Sequence, residues 1–91
     1  MIREDFIVEG IVFNVTIAMP AHATGWFSVN VCGPGKRRKL REYCLGWNGE
    51  RFAHSGALQE LERYHPNVLP QILQWLQSPE MREALSTATN K

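Results

Sequence analysis

Five cations fall within six residues: Lys36, Arg37, Arg38, Lys39 and Arg41, broken only by Leu40. Lysine and arginine at this density neutralise phosphates and release counterions, which is the chemistry of contact with a nucleic-acid backbone. The same charge suits an acidic protein partner, or serves only to keep a hairpin tip in water. Alone, the run gives weak, sequence-blind binding. Gly33-Pro34-Gly35-Lys36 precedes it but is no phosphate loop. That motif needs G-x-x-x-x-G-K-[ST] between strand and helix; here Arg37 follows the lysine and another strand comes next.

Trp26 is the second candidate. Strand alternation puts it on an outward face with Ser28 and Asn30, and a large aromatic there suits a protein interface or the stacking of a base. Single-strand binders generally offer more than one aromatic, and this face has one; a loop, the C-terminal tail or a second copy of the chain could cover it instead, and a covering partner is the better expectation. Cys32 and Cys44 are the only cysteines. They come out as cross-strand neighbours on the same face. Two ligands do not close a zinc site, and small thiols used as packing are the simpler account. His22, His54 and His65 sit among turn and capping residues. A Cys44–His54 catalytic pair fails because a two-residue Asn48-Gly49 turn puts the two on opposite faces. No nucleophile elbow or paired carboxylates occur. The expectation is no catalytic residue, no cofactor, no metal and no small-molecule substrate.

The totals bound the rest. At 91 residues the chain makes one domain, 1–91, with one thin core. Ten Lys and Arg against nine Asp and Glu give a net charge of +1. Without the five in 36–41, five basic residues face nine acidic, or −4, so the charge is localised. Two cysteines, no signal-peptide pattern and no apolar run long enough for a membrane suggest a soluble protein in a reducing, cytoplasmic setting.

The elements that must position these residues follow from hydrophobic period. Strands are predicted at 5–8 and 11–19, joined at Glu9-Gly10, which pairs Val8 with Ile11 and Phe6 with Phe13. Ile11, Phe13, Val15, Ile17 and Met19 alternate inward. Pro20 to Gly25 is a loop. Phe27, Val29 and Val31 face inward on the next strand, and Tyr43, Leu45 and Trp47 on the one after. Asn48-Gly49 predicts a type I′ hairpin that pairs Trp47 with Glu50 and Leu45 with Phe52, adding a short strand at 50–53. The period then turns helical. Ser55 caps a helix over about 56–64 with Leu58, Leu61 and Tyr64 toward the core. Asn67 caps a second, with Pro70 tolerated in its first turn and Leu69, Ile72, Leu73 and Leu76 as its stripe; Trp75 sits at the rim. Ser78-Pro79-Glu80 opens a short third helix carrying Met81 and Leu85, and 86–91 frays.

The expected architecture is α+β: an antiparallel meander of about five strands, then two or three helices packed on one sheet face as a second layer. The expected function is a small non-enzymatic binding or adaptor protein acting through protein contacts, as a homodimer or with another partner, at Trp26, Ser28 and Asn30. The alternative is a nucleic-acid binder using Lys36, Arg37, Arg38, Lys39 and Arg41 on phosphates.

Overall fold

The first hairpin turns on Glu9 and Gly10, both at positive φ (53° and 78°). This is the two-residue geometry whose twist matches that of the strands it joins. Glu9 has a Cβ, so the left-handed conformation costs about 1 kcal/mol. Its Oε1 accepts a 2.7 Å hydrogen bond from Asn67 Nδ2, which helps hold the turn.

The computed structural model describes residues 1–18, 25–34 and 39–89. Four strands, β1 (Ile2–Val8), β2 (Ile11–Ile17), β3 (Phe27–Pro34) and β4 (Leu40–Trp47), precede three helices, α1 (Gly56–Tyr64), α2 (Val68–Leu76) and α3 (Pro79–Thr89). The sheet order is β1-β2-β3-β4, antiparallel throughout. Met19, His22, Lys36, Arg37 and Arg38 lie outside the described residues.

The register around the Glu9-Gly10 turn is the expected one, Val8↔Ile11 and Phe6↔Phe13. β1 starts three residues earlier than its apolar pattern suggests. Ile2, Arg3 and Glu4 stay extended because β2 is long enough to pair them, out to Ile2↔Ile17. The inward rows Val15↔Val31 and Ile17↔Val29 continue through Val31↔Tyr43 and Val29↔Leu45, and all six side chains are buried.

There is no fifth strand among the described residues. Asn48 Oδ1 accepts from the backbone N–H groups of both Glu50 and Arg51, each at 2.8 Å, and the Asn48 N–H donates to Arg51 O at 3.2 Å. The side chain thus closes a longer loop than a two-residue turn, with Gly49 at φ 101°. The pairing slides by two residues, so that Trp47, not Leu45, meets Phe52, in an isolated bridge. A slip of two preserves the face, and the two rings pack at 4.9 Å.

The helices carry buried stripes into the same core. Leu61, Val68, Ile72, Leu76, Met81 and Leu85 join the inward strand residues in one cluster. Fully burying a side chain of this size contributes roughly 1.5–3 kcal/mol before entropy is counted. Ser55 caps α1 as expected, its Oγ accepting from the Leu58 N–H at 3.1 Å. Tyr64 is not buried; it is 40% exposed at the last turn. Asn67 does not cap α2 with its side chain: its backbone is already helical (φ −90°, ψ −6°) rather than extended, and its Nδ2 donates instead to Glu9. Ser78 Oγ accepts from Met81 N at 3.4 Å and donates to Trp75 O at 2.7 Å, at the junction of α2 and α3. α3 runs on to Thr89 rather than fraying at 86, with Thr87 Oγ1 bonded back to Glu83 O at 2.9 Å.

One contact fixes how β2 lies against β3. A Cβ built on Gly33 would fall 2.4 and 2.5 Å from two ring carbons of Phe13, so the ring occupies the space a side chain would fill. The Phe13 ring meets His65 edge-on, with centroids 4.9 Å apart. His65 Nε2 lies 2.5 Å from the carbonyl oxygen of Pro34, a contact that requires the proton on that nitrogen.

Candidate functional site

Residues that alternate with the core rows form the opposite face of the sheet. The registers sort them into rows across the strands. At one end Ile7 pairs with Val12, and Pro34 with Leu40. Ile7, Val12 and Leu40 are 70%, 51% and 76% exposed. The next row sets Asp5 against Asn14, Asn14 against Cys32 and Cys32 against Glu42; the one beyond runs Arg3, Thr16, Asn30, Cys44. Arg3, Asn14, Thr16, Asn30, Cys32 and Glu42 border a shallow, open, polar depression. The face is therefore greasy at one end and polar in the middle.

Trp26 lies at the other end and is half-buried. A Cβ on Gly46 would stand 3.5 Å from Trp26 Cε3 and 3.3 Å from Ala53 Cβ, so the indole lies over the glycine beside Ala53. Lack of a side chain at 46 makes room for the ring. Ser28 and Asn30 share its face, as expected, both half-buried. Trp26 is thus part-covered by its own chain rather than a free platform.

Cys32 and Cys44 share the outer face but are diagonal, not opposite: Cys32 pairs with Glu42, Cys44 with Asn30. Both thiols are free, and Cys44 Sγ lies 3.8 Å from Glu42 Oε1. Among the described residues no group of three or more His, Cys, Asp or Glu is placed to hold a metal ion.

Of the basic run, Lys39 is exposed and Arg41 belongs to β4. Arg41 points to the helix side, where its guanidinium grips Glu60 of α1 through both nitrogens, Nη1–Oε1 at 2.8 Å and Nη2–Oε2 at 2.5 Å. It also lies 5.4 Å from the Tyr43 ring centroid. Of the two cations of the run among the described residues, Arg41 is thus paired within the chain. Burial pushes the Tyr43 hydroxyl above its ordinary pKa; Glu60 adds to the rise and Arg41 offsets part of it. That hydroxyl and the Trp47 indole N–H are buried without a hydrogen-bond partner among the described residues.

Ile7, Val12 and Leu40 are not among the contact residues expected from the sequence. Their signal was present in the sequence. Strict alternation through the Glu9-Gly10 turn sets Ile7 opposite Val12 on the face that should be polar, and Leu40 interrupts the cations. Among the described residues no helix is long and apolar enough to cross a membrane. Compared with known proteins, the chain matches no family model, no curated protein and no solved structure.

Proposed function

We propose that this chain is a small non-enzymatic binding protein that acts through protein contacts, with the outer sheet face as its contact surface. The two-layer arrangement belongs to this proposal: helices cover the Phe13, Val29 and Leu45 face, leaving the other for a partner. The supporting observation is the row of Ile7, Val12 and Leu40, three large apolar side chains each more than half exposed at one end of the sheet. Clustered exposed apolar residues rimmed by polar ones mark interaction surfaces. Trp26, Ser28 and Asn30 form the opposite margin of the same surface. The free thiols are compatible with a reducing, cytoplasmic setting.

The test is capture by the immobilised native chain against the Ile7→Ser/Leu40→Ser variant. Replacing exposed side chains changes folding stability by only about 0.5 kcal/mol either way. A protein held by the native chain and released by the variant, at equal melting temperature, supports the proposal; identical capture by both refutes it. An oligonucleotide titration distinguishes the nucleic-acid alternative. With Arg41 engaged by Glu60, at most four cations of the run are available, for a log-log salt slope no steeper than about −3.6 on duplex DNA. Binding with that slope, abolished by Arg37→Ala/Arg38→Ala/Lys39→Ala, would replace the protein-contact proposal.

A further inference from the structure

The two lateral edges of the sheet are finished differently. On β4, the Ala53 N–H donates to Gly46 O, Phe52 bridges to Trp47, and Arg41 is tied to α1. β1, on the far side of the sheet, has no such cover among the described residues. Val8 and Ile11 flank a two-residue turn and so form a hydrogen-bonded pair. By alternation Ile2, Glu4, Phe6 and Val8 direct their backbone groups to β2. The N–H and C=O groups of Arg3, Asp5 and Ile7 then point away from the sheet. Among the described residues no backbone hydrogen bond reaches them from a turn or loop. A bare seven-residue edge is a template for another strand.

The sequence of that edge selects its partner. We propose that the chain self-associates through β1, two copies joining antiparallel about a two-fold axis into one continuous eight-stranded sheet. Keeping each face on its own side allows only registers centred on a residue, and each predicts different neighbours. Centred on Asp5, the strand sets Asp5 against Asp5; centred on Arg3, it sets Arg3 against Arg3. Centred on Glu4, it sets Arg3 against Asp5 of the second copy, twice by symmetry. The same register puts Ile2 against Phe6 on the core side and Met1 against Ile7 on the outer side. Arg3 and Asp5 are also positions whose backbone groups face the edge, so the ion pairs coincide with hydrogen-bonded pairs.

The rim of the core supports the same choice. Ile2 and Phe6 are only half-buried, and Phe6 is packed edge-on against Trp75 of α2 with centroids 5.5 Å apart. Ile2 of the second copy covers Phe6 from the open side. Glu4 meets its own copy at the axis, the one like-charge contact of this register, and holds the affinity down. This surface is the strand edge rather than the outer face, so the inference stands apart from what the face binds.

Sedimentation equilibrium of the full chain across micromolar to millimolar concentration tests it. The native chain shifts from one copy to two. Arg3→Asp and Asp5→Arg each turn two attractions into repulsions and weaken the dimer about tenfold or more, while the double exchange restores it. Glu4→Gln tightens it about threefold or more. Asp5→Pro removes an N–H that faces the free edge, a place where proline is tolerated, and abolishes the dimer with the monomer still folded by circular dichroism. A chain that stays single in every variant, Glu4→Gln included, up to about 1 mM overturns the inference. So does a dimer indifferent to the charge exchanges and to Asp5→Pro; one lost only on Val12→Ser/Leu40→Ser reassigns self-association to the outer face.

Discussion

Gly33→Ala isolates the contact that seats β2 against β3. The added methyl would stand 2.4 Å from Phe13 Cδ1, where ordinary van der Waals contact begins at 3.4 Å. The ring must therefore retreat by about 1 Å, and overpacking of this kind costs about 1–3 kcal/mol. Its retreat is opposed, because His65 stands against its edge with ring centroids 4.9 Å apart and that imidazole is held on Pro34 O. Displacing the imidazole adds about 1 kcal/mol for a lost hydrogen bond. Against this, exchanging glycine for alanine stiffens the unfolded chain and returns about 0.4–1 kcal/mol. The net expectation is a loss of about 2 kcal/mol. For a chain this short, with an m value near 1 kcal/mol/M in urea, the midpoint falls by about 2 M. Equilibrium urea unfolding followed by Trp fluorescence reads it directly. The cycle with Phe13→Leu sharpens the test: the smaller side chain makes room for the methyl, so the pair costs less than the two single changes added. An unchanged or raised midpoint in Gly33→Ala, or strict additivity in the cycle, would refute the contact as described.

Two further perturbations probe the β4 end of the domain. The folded state keeps the Tyr43 proton beyond the pH at which the unfolded chain, ionising at the ordinary 10.0, has lost it; the unfolded state then binds fewer protons, so Tyr43 has no effect at neutral pH and lowers stability as pH rises past 10, by at most about 1.4 kcal/mol per pH unit. Urea midpoints measured at neutral and alkaline pH should show a steeper alkaline decline in the native chain than in Tyr43→Phe, which at neutral pH is neutral or slightly stabilising because it removes an unpaired hydroxyl. Asn48→Ala removes the acceptor for two backbone N–H groups and should cost about 1 kcal/mol, with Asn48→Asp retaining most of the stability; equal melting temperatures for the alanine variant and the native chain would contradict the loop's construction.

The period-2 and helical patterns were sufficient to locate four strands and three helices because each inward residue from Phe13 to Trp47 has the same company on its neighbours. Glu9-Gly10 was legible for the same reason: turn geometry and apolar pairing at Val8 and Phe13 agree. Asn48-Gly49 was not, since its two-residue preference lost to the hydrogen-bonding capacity of the Asn48 carboxamide, a competition that composition does not reveal. Tyr64 and Asn67 misled similarly. One lies past the width of the buried stripe of α1, and the other has a helical backbone, from which its carboxamide oxygen does not cap α2. The surface was harder to read than the core. Trp26 drew attention by its size, yet only the absence of a side chain at Gly46 explains its shelter. The exposed Ile7, Val12 and Leu40 look like ordinary strand formers until the register aligns two of them. Arg41 looked like one cation of a cluster until α1 brought Glu60 beside it.

The link between Glu9 and Asn67 also joins residues far apart in the chain. The meander can zip from neighbour to neighbour through short loops, and such local closures are quick. The clasp on its first turn comes from the residue ahead of α2, so the left-handed glutamate of the opening hairpin is supported from 58 positions away. The chain's first bend is thereby braced by a contact of long sequence separation, the kind whose loop-closure entropy makes it slow to form.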